Sequence, residues 1–329
     1  MDPSRPPDQR PPRRPGDAWV ECRCGSRHWG EFGAAGVLVV RHGDDGDAVV
    51  LQHRALWSHH GGTWGLPGGA IGPDETAVEG AVREAVEEVG LRAEWLRPRA
   101  TWVLDHPDWS YTTVVADAVA AFEPTVTDAE SLDTRWVGVG ALADLPLLPA
   151  FAASLPELAR IMGRRLVLVV DAANTVGSRP DGWWNDRLGA TRRLRDELDA
   201  LASTGVPADA VGLPGHTWFP DVVLVAEGAA RGVPSSEHTR VVDAPGSGDD
   251  EVVRQVALAL GLTVAEAPGG RGQPGGERGA GTTDAVPGTT ADLAESGGAV
   301  EVVVVTADRA LRERVSEIGA GVAGPRLVH

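Results

Sequence analysis

The chain has 329 residues, a formal net charge of −17 and 42% hydrophobic residues, which is enough apolar material for two domains of ordinary size. This charge disfavours non-specific nucleic-acid binding over the whole surface, although it leaves room for a local basic groove. All 30 basic residues are arginine, which excludes lysine nucleophiles. No apolar run approaches the roughly 18 residues of a membrane helix, and the N-terminus has no hydrophobic segment. We therefore expect no membrane partner, no signal peptide and a cytoplasmic location.

The N-terminal segment is rich in Pro, Arg and Asp, which predicts a disordered tail over residues 1–30. Both cysteines, Cys22 and Cys24, lie in this segment, and His28 follows them. Two cysteines cannot build a disulfide framework, but this spacing suggests a metal knuckle. Zinc usually takes four ligands, and no fourth is visible nearby in the sequence. We therefore expect these residues to be simple tail residues or the remnant of a knuckle.

Residues 69–91 carry the most informative pattern in the chain. Thr76 followed by Glu79 is a capping-box signal for the start of a helix, and Gly90 is typical of the position just past a helix end. An apolar stripe at helical spacing lies between them and opposes an acidic face; the stripe is Val78, Val82, Ala85 and Val89, and the face is Glu84, Glu87 and Glu88. Crowded carboxylates repel each other at neutral pH unless a cation lies among them, and oxygen ligands suit Mg²⁺ or Mn²⁺.

Strand-like runs flank this helix at residues 34–40, 48–53, 101–104, 112–116 and 135–139. A glycine-rich run at residues 65–69 directly precedes the acidic helix and can bring bare backbone carbonyls close to the same metal. The pattern predicts an α/β arrangement in which a mixed sheet carries the glycine-rich loop and the helix.

Residues 69–91 resemble the Nudix box, G-x5-E-x7-R-E-U-x-E-E-x-G-U, with every specified letter present when Ala85 fills the first U. The resemblance implies an α/β/α sandwich that hydrolyses nucleoside diphosphates linked to another group. It implies that Mg²⁺ or Mn²⁺ is bound by the box glutamates, with the backbone of Gly69 as a further ligand. It also implies that Arg83 orients a carboxylate and that one glutamate activates the attacking water.

Four further segments resemble the MutT-type branch, which removes oxidised guanine nucleotides such as 8-oxo-dGTP; they are residues 51–57, 62–69, 111–116 and 130–137. The resemblance covers about residues 33–154. Arg54 is a candidate phosphate contact, because a guanidinium binds phosphate through two hydrogen bonds, or else a surface arginine. Glu130 is a candidate additional metal ligand, or else a surface glutamate. Four tryptophans could stack on a purine, but tryptophans more often belong to the core; they are Trp57, Trp64, Trp102 and Trp109.

A second unit begins with a continuous apolar run at residue 166. Its strand-like runs, at residues 166–170, 222–226, 239–242 and 302–305, alternate with helical stretches near 184–203, 248–260 and 310–318. This alternation predicts a parallel sheet with helices on both faces. A Gly- and Pro-rich insertion at about 268–298 is predicted to be disordered. The sequence thus predicts a tail (1–30), a Nudix domain (31–155), a linker or short helical stretch (156–165) and a second α/β domain (166–329).

Acidic residues follow the strands of this second unit. Asp171, Glu227 and Asp308 come directly after three strands, and Asp249 and Asp250 begin a helix after another. Functional residues gather beyond the carboxyl ends of parallel strands, so these acids suggest a second Mg²⁺ or Mn²⁺ site. The alternative is that each aspartate only caps a helix.

The second unit resembles NYN domains of the PIN-like nuclease group at residues 169–174, 248–251 and 304–311. The resemblance implies RNA cleavage with metal held by Asp171, Asp308 and either Asp249 or Asp250, and Asn174 belongs to the first matching segment. The insertion before the last strand departs from the compact pattern, which leaves the activity in doubt more than the fold.

We therefore expect a pyrophosphohydrolase that acts on a nucleoside triphosphate, most simply in sanitising the nucleotide pool, fused to a ribonuclease domain that contacts RNA. In one alternative, the Nudix half acts on capped or dinucleotide substrates during RNA processing. In another, the C-terminal half only binds RNA or a regulator. The sequence does not predict an oligomeric state.

Overall fold

The computed structural model describes residues 14–179, 182–262 and 299–328. The chain divides into two compact units, residues 1–166 with 201–220, and residues 167–200 with 221–329. No helix in the described residues is long and apolar enough to cross a membrane.

The strands and helices up to residue 162 are β1 (Trp19–Glu21), β2 (Arg27–Trp29), β3 (Ala34–Arg41), β4 (Ala48–Arg54), β5 (Trp64–Gly65), β6 (Gly68–Ala70), α1 (Ala77–Val89), β7 (Leu96–His106), β8 (Trp109–Ala118), β9 (Ser131–Gly138) and α2 (Pro149–Met162). The later ones are β10 (Arg164–Asp171), α3 (Ala172–Gly177), α4 (Arg187–Thr204), β11 (Val206–Pro207), β12 (Thr217–Trp218), β13 (Asp221–Ala226), β14 (Thr239–Asp243), α5 (Gly248–Ala259), β15 (Ala299–Val305), α6 (Arg309–Glu317) and β16 (Gly321–Ala323).

The first unit is built on a mixed sheet with the strand order β11-β12-β7-β8-β3-β4-β5, in which β6 also pairs with β3 and β9 with β4. Strands β3 and β8 run parallel, whereas β7–β8 and β4–β9 are antiparallel. Strand β3 is buried from Ala34 to Val40, as expected for a central strand that is covered on both faces. The predicted α/β fold with a mixed sheet is confirmed.

Helix α1 packs against the core of this unit. Ala81, Ala85 and Val89 are fully buried there, and Val78 and Val82 of the apolar stripe are partly buried. The Thr76 hydroxyl accepts from the backbone N–H of Glu79, and the Glu79 carboxylate accepts from the N–H of Thr76. At the other end Gly90 has a φ of 68°, a left-handed conformation that glycine adopts without strain. The predicted capping box and helix end are confirmed.

The N-terminal segment differs from the predicted disordered tail. Residues 1–13 lie outside the described part of the chain, but residues 19–29 form a β-hairpin from β1 and β2. Cys22 and Cys24 lie in the turn of this hairpin, and His28 lies on β2. Composition predicts disorder only on average, and here the aromatic contact between Trp19 and Trp29 across the hairpin opposes it.

Of the two predictions for residues 156–165, a short helix or a linker, the helix is confirmed and the linker is wrong, because helix α2 continues through Pro156 to Met162 and β10 starts at Arg164. A proline inside a helix removes one backbone hydrogen bond. Burial of Leu158 and Ile161 after the proline offsets that loss. The predicted insertion at 268–298 lies outside the described residues.

A third difference concerns residues 201–220, which the sequence assigns to the second domain. Their strands β11 and β12 belong to the first unit, where β12 pairs with β7 and places Trp218 opposite Ala100. These strands have two residues each, too short to show a period in the sequence.

The second unit contains a sheet with the order β14-β13-β10-β15-β16. The pairs β10–β13, β13–β14 and β15–β16 are parallel. Apolar residues of α5 and α6 share one core with this sheet, among them Val252, Val256 and Leu311. The predicted parallel-sheet α/β unit is confirmed.

Candidate functional site

Arg83 connects helix α1 to the loop that precedes it. Its guanidinium donates to both carboxylate oxygens of Glu75, at 2.7 and 3.0 Å, and to the carbonyl of Ala70 at 2.9 Å. Its Nη1 donates to Oε1 of Glu84 at 2.7 Å. The Arg83 hydrogen bonds hold the pKa of Glu75 below its usual range. Arg83 therefore fixes the position of the Glu84 carboxylate relative to the loop.

Glu84 lies between Arg83 and the bare backbone of Gly69. A Cβ built at Gly69 would lie 2.6 Å from both Cδ and Oε1 of Glu84, so only glycine leaves room for this carboxylate. Burial raises the pKa of Glu84 and outweighs the opposite effect of the Arg83 guanidinium. The side chain is thus an oriented carboxylate that binds a proton more readily than an exposed glutamate.

Glu88 is the most enclosed of the three box glutamates, with 9% of its surface exposed. The backbone N–H of Gly68 donates to its Oε2 at 2.8 Å. Burial raises its pKa well above the usual range, and the negative charge of Glu84 raises it further. Two partly desolvated carboxylates therefore face the same glycine-rich loop.

Glu87 is half-buried and the most exposed of the three box glutamates. Nη1 of Arg14 lies 2.7 and 2.6 Å from its two carboxylate oxygens, and Nη1 of Arg83 lies 3.7 Å from one of them. No pattern in the N-terminal composition indicates that Arg14 reaches the box. The contact results from the chain path of the first unit.

The donor set of this site fits a hard divalent cation. It consists of carboxylate oxygens beside the half-buried backbone of Gly68 and Gly69, and the negative charge of Glu84 raises the pKa of Glu88. A cation such as Mg²⁺ or Mn²⁺ relieves such repulsion and accepts oxygen ligands. Thiolate and imidazole ligands, which would favour zinc, are not part of this set.

Arg54 and Glu130 have different places around the box. Nε of Arg54 donates to the carbonyl of His59 at 3.1 Å, and the charge of Arg54 opposes, in small part, the raised pKa of Glu88. The carbonyl of Glu130 accepts from the N–H of Ala55 at 2.7 Å. The proposed phosphate contact and the additional metal ligand both stay predictions.

Sequence reasoning overlooked two side chains at this site. Glu75 was visible as the second fixed letter of the box, although its role as the partner of Arg83 was not. Tyr111 lies in the segment 111–116 that resembles the MutT-type branch, but the sequence predicted no role for it. Its hydroxyl lies 2.2 Å from where a Cβ of Gly36 would be and 2.9 Å from that of Gly68, and burial raises its pKa.

The candidate stacking tryptophans take part in protein contacts. Trp64 is buried, stacks on His53 at 4.7 Å and has the guanidinium of Arg135 4.4 Å from its ring centre. Trp109 stacks on His28 at 4.4 Å. Trp57 and Trp102 are half-buried. The core interpretation is thus confirmed for Trp64.

In the second unit, Thr306 links two of the predicted acids. Asp171, at the end of β10, accepts from the side-chain amide of Asn174 at 2.7 Å and from the hydroxyl of Thr306 at 3.0 Å. The same hydroxyl accepts from the backbone N–H of Asp308 at 3.1 Å. Asp171 and Asp308 also cap α3 and α6 through the N–H groups of residues 174 and 311, as the helix-cap interpretation predicts.

Asp249 and Asp250 have different surroundings despite being neighbours. Burial raises the pKa of Asp249, and the negative charges of Asp171 and Asp308 raise it further. Asp250 instead pairs with Arg314 at 2.6 Å.

A cleft of about 340 Å³ lies beside helix α3, which follows Asp171 in the chain. Its lining residues are Ala173, Asn174, Gly177, Ser178 and Ala307.

Comparisons with known proteins concern the part of the chain that contains the acidic helix α1. A protein described as putative 8-oxo-dGTP diphosphatase 3 from Mycobacterium tuberculosis is 53% identical over 153 residues, which cover 44% of this chain and 70% of that protein. A nucleoside triphosphate pyrophosphatase/Nudix hydrolase fusion protein from Bifidobacterium longum is 42% identical over 158 residues, 44% of this chain and 33% of that protein. The crystal structure of a Nudix hydrolase from M. smegmatis matches with 46% identity, covers 44% of this chain and 93% of that chain, and has a TM-score of 0.41. The NUDIX domain model matches residues 33–158, which include every residue of the box.

Proposed function

Because the chain belongs to the Nudix family of pyrophosphohydrolases, we propose that its first unit hydrolyses a diphosphate bond of oxidised guanine nucleoside triphosphates such as 8-oxo-dGTP. The observation that carries this proposal is the arrangement of Glu84 and Glu88 beside the glycine-rich loop, with Arg83 holding Glu84. The similarity to the mycobacterial relative supports oxidised guanine as the nucleobase of the substrate.

We propose Glu84, Glu87, Glu88 and the carbonyl of Gly69 as the groups that would hold Mg²⁺ or Mn²⁺. The bound ion would neutralise the phosphate charge, which phosphoryl transfer requires more than covalent chemistry.

The chain's own residues then have separate tasks. Arg83 keeps Glu84 oriented through the ion pair with Glu75. One of the three box glutamates, Glu84, Glu87 or Glu88, is the candidate to take a proton from the attacking water. We propose Arg54 as a phosphate contact, because a guanidinium binds phosphate through two hydrogen bonds.

The test is steady-state hydrolysis by the full chain with Mg²⁺, comparing 8-oxo-dGTP with dGTP, a dinucleoside polyphosphate and a capped RNA. We expect 8-oxo-dGTP to have the highest kcat/KM. A higher value for the capped or dinucleotide substrate would favour the RNA-processing alternative. Failure to hydrolyse any of these compounds would reject the proposal.

The site assignment is tested with Glu87→Gln and its matched control Glu94→Gln. Glu87 is half-buried and glutamine has nearly the same shape, so its replacement should leave the circular dichroism spectrum unchanged while kcat falls by at least about 100-fold. Glu94 is a more exposed glutamate outside the box, paired with Arg92, and its variant should keep full activity.

For the second unit, we propose a metal-dependent ribonuclease of the NYN, PIN-like type, because Thr306 links Asp171 and Asp308 by hydrogen bonds just beyond the ends of β10 and β15, and the charges of both acids act on Asp249. Mutual repulsion of these acids would be relieved by Mg²⁺ or Mn²⁺.

The neighbouring pair Asp249 and Asp250 offers a sharp test of this second proposal. Single-stranded RNA is incubated with the full chain and Mn²⁺, and Asp249→Asn is compared with Asp250→Asn. We expect loss of cleavage in the first variant and wild-type cleavage in the second, whose aspartate pairs with Arg314. RNA binding without cleavage by the wild type would indicate a binding module, and equal cleavage by both variants would reject the site.

A further inference from the structure

Four potential metal ligands meet in the first unit, apart from the acidic box. Sγ of Cys22 and Cys24 and a ring nitrogen each of His28 and His106 all lie within 4.8 Å of one another. Within the described part of the chain, this is the group of three or more Cys, His, Asp or Glu side chains whose ligand atoms lie within that distance of one another. His106 is the fourth ligand that the sequence did not indicate, because it lies far along the chain at the end of β7.

The distances are close to those of a tetrahedral metal site. Zn–S bonds of about 2.3 Å and Zn–N bonds of about 2.0 Å separate neighbouring ligand atoms by roughly 3.3–3.8 Å. Sγ of Cys24 lies 3.2 Å from Nε2 of His28, and the rings of His28 and His106 have centres 4.3 Å apart. Only small side-chain adjustments are needed to point all four atoms at one centre.

A tight turn in the β1–β2 hairpin places both thiols on the same side. The N–H of Gly25 donates to the carbonyl of Cys22 at 2.9 Å, and the N–H of Cys22 donates to the carbonyl of Ser26 at 3.1 Å. Gly25 has a φ of 87°, which allows the chain to turn back directly after Cys24. His28 then follows on β2, opposite Val20.

Polar contacts hold this turn against the tip of the β7–β8 hairpin, which carries His106. The backbone N–H and Nε of Arg23 donate to the carboxylate of Asp108, each at 2.8 Å, and Nη2 donates to the carbonyl of Pro107 at 3.0 Å. On the other side, the indole N–H of Trp109 donates to the carbonyl of Trp29 at 3.0 Å. The two hairpins that supply the ligands are therefore preorganised with respect to each other.

We infer that Cys22, Cys24, His28 and His106 bind one structural Zn²⁺ ion. Two thiols and two imidazoles are a ligand set that selects zinc over Mg²⁺ and Mn²⁺, and four protein ligands leave no open position for catalysis. Both cysteines are free thiols in the structure, and a buried Cys22 beside an exposed Cys24 suits a site at the surface. The ion would join the N-terminal hairpin to the main sheet of the first unit.

Metal content is the direct test, and it does not depend on catalytic activity. The full chain, expressed with added zinc and purified without chelator, should contain about one zinc per chain by inductively coupled plasma mass spectrometry. Cys24→Ser and His106→Ala should lose it, whereas His238→Gln, which replaces a histidine of the second unit outside this group, should retain it. Zinc-free wild-type protein, or unchanged zinc in both cluster variants, would overturn the inference.

Cobalt and thiol measurements on the wild type avoid the risk that a variant fails to fold. After removal of the metal with a chelator, added Co²⁺ should give the visible d–d bands of a tetrahedral thiolate site, and the thermal midpoint should fall in the metal-free protein and recover with zinc. Denatured metal-free protein should then show two titratable thiols. A cobalt spectrum without tetrahedral bands, or a Cys22–Cys24 disulfide in freshly purified protein, would contradict a zinc site.

Discussion

The carboxylate of Glu84 is held from two sides, by the guanidinium of Arg83 and by the bare backbone of Gly69. At the scale of single residues, the position of the Glu84 carboxylate thus depends on Gly69, because the missing Cβ leaves the space that this carboxylate fills. Burial then raises the pKa of Glu84 and of Glu88.

Gly69→Ala should reduce kcat at saturating Mg²⁺ by about 10- to 100-fold, because the new methyl group would lie 2.6 Å from the Glu84 carboxyl and must displace it. The fold should persist, since the displaced atoms are the far end of a flexible side chain. Steady-state kinetics and circular dichroism measure the two effects. Gly140→Ala is the control, because a Cβ there meets nothing within 4 Å, and it should keep wild-type activity. Equal activity of both variants would contradict the close approach of Glu84 to Gly69.

At the scale of elements, the first unit depends on a piece of chain that follows β10. Strand β12 adds to the edge of β7, and Trp218 is completely buried, with its indole N–H donating to the carbonyl of Pro214 at 2.7 Å. A large buried aromatic side chain of this kind stabilises the packing of an edge strand. The pyrophosphohydrolase unit is therefore completed by residues 201–220.

Trp218→Ala should destabilise the first unit by about 3–5 kcal/mol, as truncation of a buried aromatic residue usually does. The midpoint of thermal inactivation of nucleotide hydrolysis should fall by at least about 5 °C. Trp184→Ala removes a tryptophan of the second unit that is 60% exposed, and it should leave this midpoint almost unchanged. A larger shift in the Trp184 variant would be inconsistent with the place of β12.

At the scale of the whole molecule, a chain with a net charge of −17 must accommodate many acids, and some of them are buried with basic partners. His42 lies between two such acids: Nδ1 is 2.8 Å from Asp47, and Nε2 is 3.1 Å from Asp117, which also has Nε of Arg99 at 2.9 Å. The hydrogen bond with Asp117 raises the pKa of His42, and that with Asp47 adds to it, against the effect of burial.

This raised pKa makes the stability contribution of His42 dependent on pH. Protonated His42 stabilises the fold at pH values below its ordinary pKa of about 6.5, and the contribution is lost as the pH rises through the raised value. His42→Gln should therefore lower the free energy of unfolding by on the order of 1.5 kcal/mol more at pH 6 than at pH 9. Urea denaturation of both proteins at both pH values measures this difference. The same loss at the two pH values, or a greater one at pH 9, would show that protonation of His42 does not stabilise the fold.

The amino-acid sequence by itself determined helix α1, its capping box, its glycine end and its acidic face, because these depend on spacings within one stretch of chain. The main strands of both units followed from apolar runs for the same reason. Only the tertiary structure decided that Arg14 pairs with Glu87, that His106 joins Cys22 and Cys24, and that Asp250 pairs with Arg314 whereas the pKa of Asp249 is raised by the charge of Asp171. The place of residues 201–220 in the first unit was decided in the same way. Each of these arrangements depends on strand pairing or helix packing between segments far apart in the chain, and local periodicity carries no record of such contacts.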